Sequence, residues 1–247
     1  MKINKYFSFK RLLLQVRNDI SRNYRTWLLT LGAVTGILVA IDILPGIFAG
    51  KPYVPVVPFY IIFLLIGFIF SSVVFSEIHD SQKGLVYFTI PASNLERVIS
   101  KILISNIFYI LISFVYFKVM CFLLGEINGV IFGLKGGAYS FNWDIARAYF
   151  ILQSIFLFAS SYFKSKAFIK LIFSLFVLNI LFSIYFTAGF RLVFQEALSG
   201  NMNYDLSFTY LPDLGINIFN SVKFIFNWIF APFFWVLTYL KIREKEI

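Results

Sequence analysis

Long apolar runs separated by short polar breaks organise the whole chain. Six runs, at about 27–44, 59–75, 102–124, 148–163, 171–189 and 223–240, lie near the roughly 20 residues that a helix needs to cross about 30 Å of hydrocarbon. Segments such as IIFLLIGFIF and FIFNWIFAPFFWVL are apolar on every face. A membrane β-barrel needs shorter segments of strict alternation, so the pattern excludes one and predicts transmembrane helices. The fold class that follows is an all-α integral membrane protein with six transmembrane helices, forming a single transmembrane domain over residues 1–247.

The breaks between the runs are equally patterned. In residues 1–25, Tyr6, Phe9, Leu13, Val16, Ile20 and Tyr24 recur at spacings of three and four. Lys10, Arg11, Arg17, Asn18, Arg22 and Arg25 fall on the opposite face. This predicts an amphipathic interfacial helix lying on the inner leaflet ahead of the first span, its bases toward anionic headgroups of the membrane lipids. The first span is expected to end at Asp42 and Pro45-Gly46, and a proline-bearing link leads to the second. Residues 76–101, SEIHDSQKGLVYFTIPASNLERVISK, form the one substantial polar interruption in the first half. The second helix is expected to continue through Glu77 and Asp80 to Lys83 and to stop at Gly84 in the left-handed conformation. An extended run, Leu85 to Ile90, closes at Pro91. Ser93 and Glu96 then have the Ser-x-x-Glu spacing of a capping box, which starts the helix that feeds span three.

Further along, Gly125 to Arg147 is glycine-rich with Trp143 as an interface anchor. KSKAFIK alone links spans four and five, which makes them an antiparallel hairpin. Residues 190–222 carry two moderately apolar stretches, Arg191 to Leu198 and Leu211 to Phe219, expected as short re-entrant helices on the outer side. Pro232 falls inside span six.

Charge decides the orientation. The chain of 247 residues is 60% hydrophobic and 14% charged, with 33 Phe and a mean hydropathy of +0.81. The formal net charge is nevertheless +10. Six spans put both termini on one side, and sixteen of the 22 Lys and Arg lie on that side against five on the other, Lys118 falling within a span. The positive-inside rule therefore places both termini in the cytosol, and the expected location is multi-pass in the cytoplasmic membrane, with a bacterial source expected. Topology accounts for the basic excess, so no nucleic-acid partner is expected. The single cysteine, Cys121, lies in an apolar run and cannot form an intrachain disulfide.

No catalytic signature is present. GxxxxGK[ST], HExxH and GxSxG do not occur, and His79 is the only histidine. Neither a catalytic residue, nor a metal site, nor a cofactor is expected in this chain, which reads as a non-enzyme. The intramembrane polar residues Asn106, Lys118 and Asn179 are candidates for a translocation path, against a plainer reading in which Lys118 snorkels and the amides join helices. Asp42 reads as interfacial.

Together these features resemble the membrane-spanning permease subunit of ABC-2 type ABC transporters, in the architecture of type V-like exporters. The most specific local match is Glu77 followed by FTIPASNLERVISKIL, with Glu77, Pro91, Ser93, Arg97 and Lys101 on the family's motif after span two. The resemblance implies a homodimer or a dimer with a related permease, and a separate cytosolic P-loop ATPase subunit that binds ATP. It further implies that residues 76–101 dock on that ATPase as a coupling loop, carrying Glu77, His79, Asp80, Lys83, Pro91, Ser93, Glu96, Arg97 and Lys101. The exposed acids and bases among them would orient docking. The implied function is ATP-driven export of a lipid-like, drug or peptide substrate. The alternatives are a non-transporting anchor or assembly and regulatory subunit and, third, an ion-coupled secondary transporter.

Overall fold

The computed structural model describes residues 7–49, 55–80, 92–133, 139–198 and 220–245, with Gln82, Gly84, Tyr87 and Thr89 between the second and third of these segments. Six helices are long and apolar enough to cross a membrane, and no strand occurs among the described residues. They are α1 (Phe9–Ala49), α2 (Val56–Val73), α3 (Asn94–Phe132), α4 (Trp143–Tyr162), α5 (Ala167–Leu198) and α6 (Asn220–Lys245). Each contains one of the six apolar runs. By length and composition the chain is a multi-pass membrane protein.

Several boundaries differ from the sequence expectation. The amphipathic N-terminal segment is not a separate helix: α1 runs unbroken for 41 residues, about 60 Å at roughly 1.5 Å per residue. A helix that lies in the membrane plane must turn sharply before it spans, and α1 has no break at which to turn. Pro45 also lies inside it. Gly84 is helical and its amide donates to the Asp80 carbonyl at 2.8 Å. The glycine that does take the left-handed conformation is Gly133 (φ 67°), which ends α3 two turns beyond Gly125 by donating to the Asn128 and Gly129 carbonyls. Residues 191–198, expected as a short re-entrant helix, continue α5. The other expected re-entrant stretch, 211–219, lies outside the described residues.

Between α2 and α3 the chain makes a 3-10 turn, Ser76–His79, and then Asp80 adopts an extended conformation (φ −87°, ψ 129°). The Asp80 carboxylate accepts from the Gln82 amide at 3.0 Å, and Gln82, Gly84, Tyr87 and Thr89 are helical. This side-chain acceptor restarts a helix where an extended run was expected, because it satisfies one of the donors that a new first turn leaves open.

Helix α4 is the centre of the bundle, with more than half of its apolar window buried; it packs chiefly against α2 and α6. One apolar cluster joins α1 to α4 through Leu38, Phe63, Phe117, Met120, Leu124 and Tyr149. A second, of Phe75, Ile78, Tyr87, Val98, Leu157 and Ile242, closes the end at which α1 begins. Close approach is enabled at Gly67, where an added Cβ would stand 2.4 Å from the Tyr149 ring. Helix α5 is different. Its first turns pack through Ala167 and Leu171, but from Ile172 to Ala188 it is exposed on every side.

Side-chain contacts order the ends. Ser8 meets Glu96, and His79 meets both Ser160 and Lys245. The start of α1, the 3-10 turn, the start of α3, the end of α4 and the end of α6 therefore share one end of the bundle. Asp42 with Asn128, and Tyr60 with Asn142, mark the other. This alternation is what six successive crossings require.

Candidate functional site

The polar end is built on a helix-to-helix clamp. Ser93 is extended (φ −72°, ψ 155°) and its hydroxyl accepts from the Glu96 amide at 3.2 Å. The Glu96 Oε2 accepts in turn from the Ser93 amide at 2.9 Å. The expected capping box is complete, and it does more than start α3. Glu96 Oε1 also accepts from the Ser8 amide and from Arg11, at 3.2 Å from Nε and 2.9 Å from Nη2. One carboxylate thus satisfies the N-termini of two helices and a guanidinium, while its own side chain is 0% exposed.

Two further ion pairs extend the clamp toward the apolar part of the helices. Lys101 Nζ lies 3.0 Å from Asp19 Oδ2, both largely buried, and Arg22 Nη2 lies 3.1 Å from Glu77 Oε1. Because 11, 19 and 22 climb α1 while 96 and 101 climb α3, the two helices run parallel here. The α1 residues turned inward are Leu12, Gln15, Val16 and Asp19, a 3–4 spacing that forms one stripe. Only Val16 belongs to the apolar face read from the sequence. Phe9 and Leu13, also on that face, are 70% and 60% exposed. The stripe that packs includes an acid because the surface it meets supplies a lysine.

Arg97 is 1% exposed. Its Nη1 donates to Asn94 Oδ1 at 2.9 Å, and its guanidinium stands over the Tyr87 ring at 5.3 Å, with Lys101 Nζ at 6.0 Å from the same ring. Such cation–π contacts strengthen out of water. Burial holds the Tyr87 phenol well above the usual tyrosine value, against the opposing pull of Arg97. His79 Nε2 lies 3.0 Å from the Ser160 carbonyl and Lys245 Nζ lies 2.8 Å from Nδ1. An ammonium can only donate, so Nδ1 accepts and Nε2–H donates: the ring is neutral.

The nine residues expected to carry coupling therefore divide. Glu96, Arg97 and Lys101 are buried, contrary to the expectation that Glu96 and Arg97 face a partner. The reason is local: a charged side chain at a helix start can be buried when another helix brings its counter-charge, as α1 does with Arg11 for Glu96 and Asp19 for Lys101, while Arg97 is held by Asn94 and the Tyr87 ring. Ser93 caps, Glu77 pairs with Arg22, and His79 ties the turn to α4 and α6. Asp80 is exposed. Lys83 and Pro91 lie outside the described residues. The outward surface of this end carries Gln82, Thr89 and Leu95, none of which the sequence singled out.

The three candidates for a translocation path do not come together. Asn106 is buried in a π-helical segment, Leu103–Phe108, where its Nδ2 donates to Gln153 Oε1 and to the Phe150 carbonyl, each at 3.3 Å. The wider π turn changes the backbone pairing, and the Ser105 carbonyl accepts the Tyr149 hydroxyl at 2.7 Å while its Oγ accepts from Gln153 Nε2 at 2.6 Å. This buried network welds α3 to α4. Lys118 is exposed and donates to the Tyr139 carbonyl at 3.3 Å. Asn179 stands on the exposed length of α5.

One polar pair escaped the sequence reading. Asp42 is completely buried, and Asn128 Nδ2 donates to both of its oxygens, at 3.2 and 2.9 Å. Neither residue type nor spacing connects positions 86 residues apart, and Asp42 looked like a span-end residue because Pro45 follows it. Comparison of the chain with protein-family models, curated proteins and solved structures returns no match.

Proposed function

We propose that the chain is the membrane-spanning subunit of an ABC-2 type exporter, working as a dimer and driven by a separate ATPase that engages the polar end. The observation that carries this reading is the clamp. Three ion pairs join the 76–101 segment to the first turns of α1, and both α1 and α3 continue without interruption into the apolar bundle. A displacement applied to this end is delivered to two spanning helices at once, which is what coupling to a cytosolic motor requires. The concentration of bases at the same end supports a cytosolic location in the cell membrane. A lipid-like, drug or peptide cargo suits a chain whose described residues form no large domain outside the bundle.

The reading changes where a partner would touch. Charge reversal at Glu96 breaks the clamp itself and at Arg97 disturbs a buried contact with Tyr87, so contact falls to the exposed residues around Gln82 and Leu95. The test is purification of the tagged full chain from its native membranes. A P-loop ATPase should accompany it, and Leu95→Asp should lower the ATP hydrolysis of the complex while leaving the chain folded. Absence of any ATPase, or hydrolysis unaffected by Leu95→Asp and by Gln82→Glu, refutes the reading.

A further inference from the structure

The far end of the α1–α3 contact holds an ionisable group that the clamp and the proposed coupling do not use. Asp42 has no exposed surface. Apolar helix surface continues past the pair: beyond Asp42, α1 still presents Leu44, Ile47 and Phe48 outward, and beyond Asn128, α3 presents Val130 and Ile131. Its hydrogen-bond partner is the neutral Asn128 amide. No charged residue stands between Arg25 and Asp42 on α1, and α2, which packs on both α1 and α3, carries none. On α3 the nearest charged groups along the helix are Lys118 and Glu126, both exposed. No ion pair to Asp42 is formed among the described residues.

A charge in such a place costs several kcal/mol unless something neutralises it. A metal cation is a poor fit, since calcium takes 6–8 oxygen ligands and magnesium six, whereas Asp42 and Asn128 together offer three. A proton needs one. The geometry also serves both charge states. As it stands, Nδ2 donates to the carboxylate while Asn128 Oδ1 is buried and has no hydrogen-bond partner. Rotating the amide by half a turn brings Oδ1 to the place of Nδ2, 2.9 Å from Asp42 Oδ2, where it accepts a carboxylic O–H. Protonation thus converts an N–H···O⁻ contact into an O–H···O bond between the same two side chains.

We propose that Asp42 and Asn128 form a proton-binding site that ties α1 to α3 at the end opposite the clamp. The step is simple: hydronium gives its proton to the Asp42 carboxylate, leaving water, and Asn128 turns to accept the new O–H. Its consequence is that the packing of α1 on α3 is linked to acidity at this end of the bundle. The inference does not depend on the export reading.

The test is infrared spectroscopy of the full chain in lipid nanodiscs at neutral pH, comparing wild type with Asp42→Asn and Asn128→Ala. Wild type should show a carboxylic-acid C=O band, shifted in D2O, that Asp42→Asn removes by one carboxyl equivalent. Asparagine mimics the protonated acid, so this variant should fold. Asn128→Ala should move the same band to higher frequency by removing the acceptor, and decides the matter alone should Asp42→Asn not accumulate. Replacing sodium with choline should change nothing. Loss of a carboxylate band in place of the acid band in Asp42→Asn, an unmoved acid band in Asn128→Ala, or an acid band that sodium abolishes would each overturn the proposal.

Discussion

Removing the Glu96 carboxylate is the sharpest test of the clamp. Glu96→Ala strips an acceptor from four donor groups at once: the Ser93 amide, the Ser8 amide, and Arg11 Nε and Nη2. Loss of the capping interaction alone costs about 1 kcal/mol. Breaking a buried ion pair by deleting one partner costs about 3–5 kcal/mol, because the remaining charge is left uncompensated. Arg11 keeps 27% of its side chain exposed, so water recovers part of that. The lower bound, about 3 kcal/mol for the local opening, is the safer figure.

That energy does not have to appear as global unfolding. The start of α1 is held at this end by the clamp and by Leu12 and Val16, whereas the apolar bundle is joined elsewhere through Leu38, Phe63 and Tyr149. The variant should therefore open locally. At about 1.4 kcal/mol per factor of ten, amide exchange in residues 9–25 and 94–101 should rise by about two orders of magnitude, while α4 is unchanged. Glu96→Gln should fall between the two, since the amide can still cap but cannot pair with Arg11. A double-mutant cycle with Arg11→Ala isolates the pair. Exchange in α1 that stays within twofold of wild type, or acceleration spread evenly over α4, would refute the idea that Glu96 holds the two helices together.

Three other outcomes follow from particular contacts. Gly67→Ala should destabilise the bundle by about 1–3 kcal/mol, read as a lower melting temperature in detergent, because its Cβ would meet the fully buried Tyr149 ring and the Tyr109 ring beside it; Gly46→Ala, whose Cβ meets only the rim of the half-buried Phe132 ring, should be nearly neutral. Tyr149→Phe leaves the buried Ser105 carbonyl without its 2.7 Å donor and should cost about 1–3 kcal/mol in the same assay. Burial, with the nearby Lys245 and Lys164 charges, holds the His79 pKa below the ordinary histidine value, so acidification to below the usual histidine range should free the end of α6, since a protonated His79 can no longer accept from Lys245; labelling of a cysteine placed at Glu244 should gain at low pH relative to the same cysteine in His79→Gln, and equal rates in the two would refute it.

What the sequence could and could not show follows from the range of the forces involved. Spanning segments are legible because each satisfies its own backbone and meets lipid with its own side chains, so length and composition suffice. The Ser93–Glu96 box is legible for the same reason, its donors and acceptors lying within three residues. Gly84 misled because the Asp80 carboxylate, four residues earlier, could restart a helix, and Gly125 misled because α3 still had apolar surface to present out to Phe132. The burial of Glu96 and Arg97 was illegible. A capping glutamate looks alike whether water or a second helix lies beyond it, and only the arrival of Arg11 from 85 residues away decides which.

The same limit explains why the amphipathic N-terminus was expected as a helix separate from the first span. Its apolar face and its basic face are both genuine, and a membrane surface would accept them. Helix continuity through Trp27 makes the segment one rod with the first span, about 60 Å long and so about twice the hydrocarbon thickness. Its first turns meet a protein surface, and the side chains that matter become Arg11 of the basic face together with Gln15 and Asp19, which belong to neither face. Charges that a membrane reading treats as headgroup contacts become the ion pairs that bind α1 to α3.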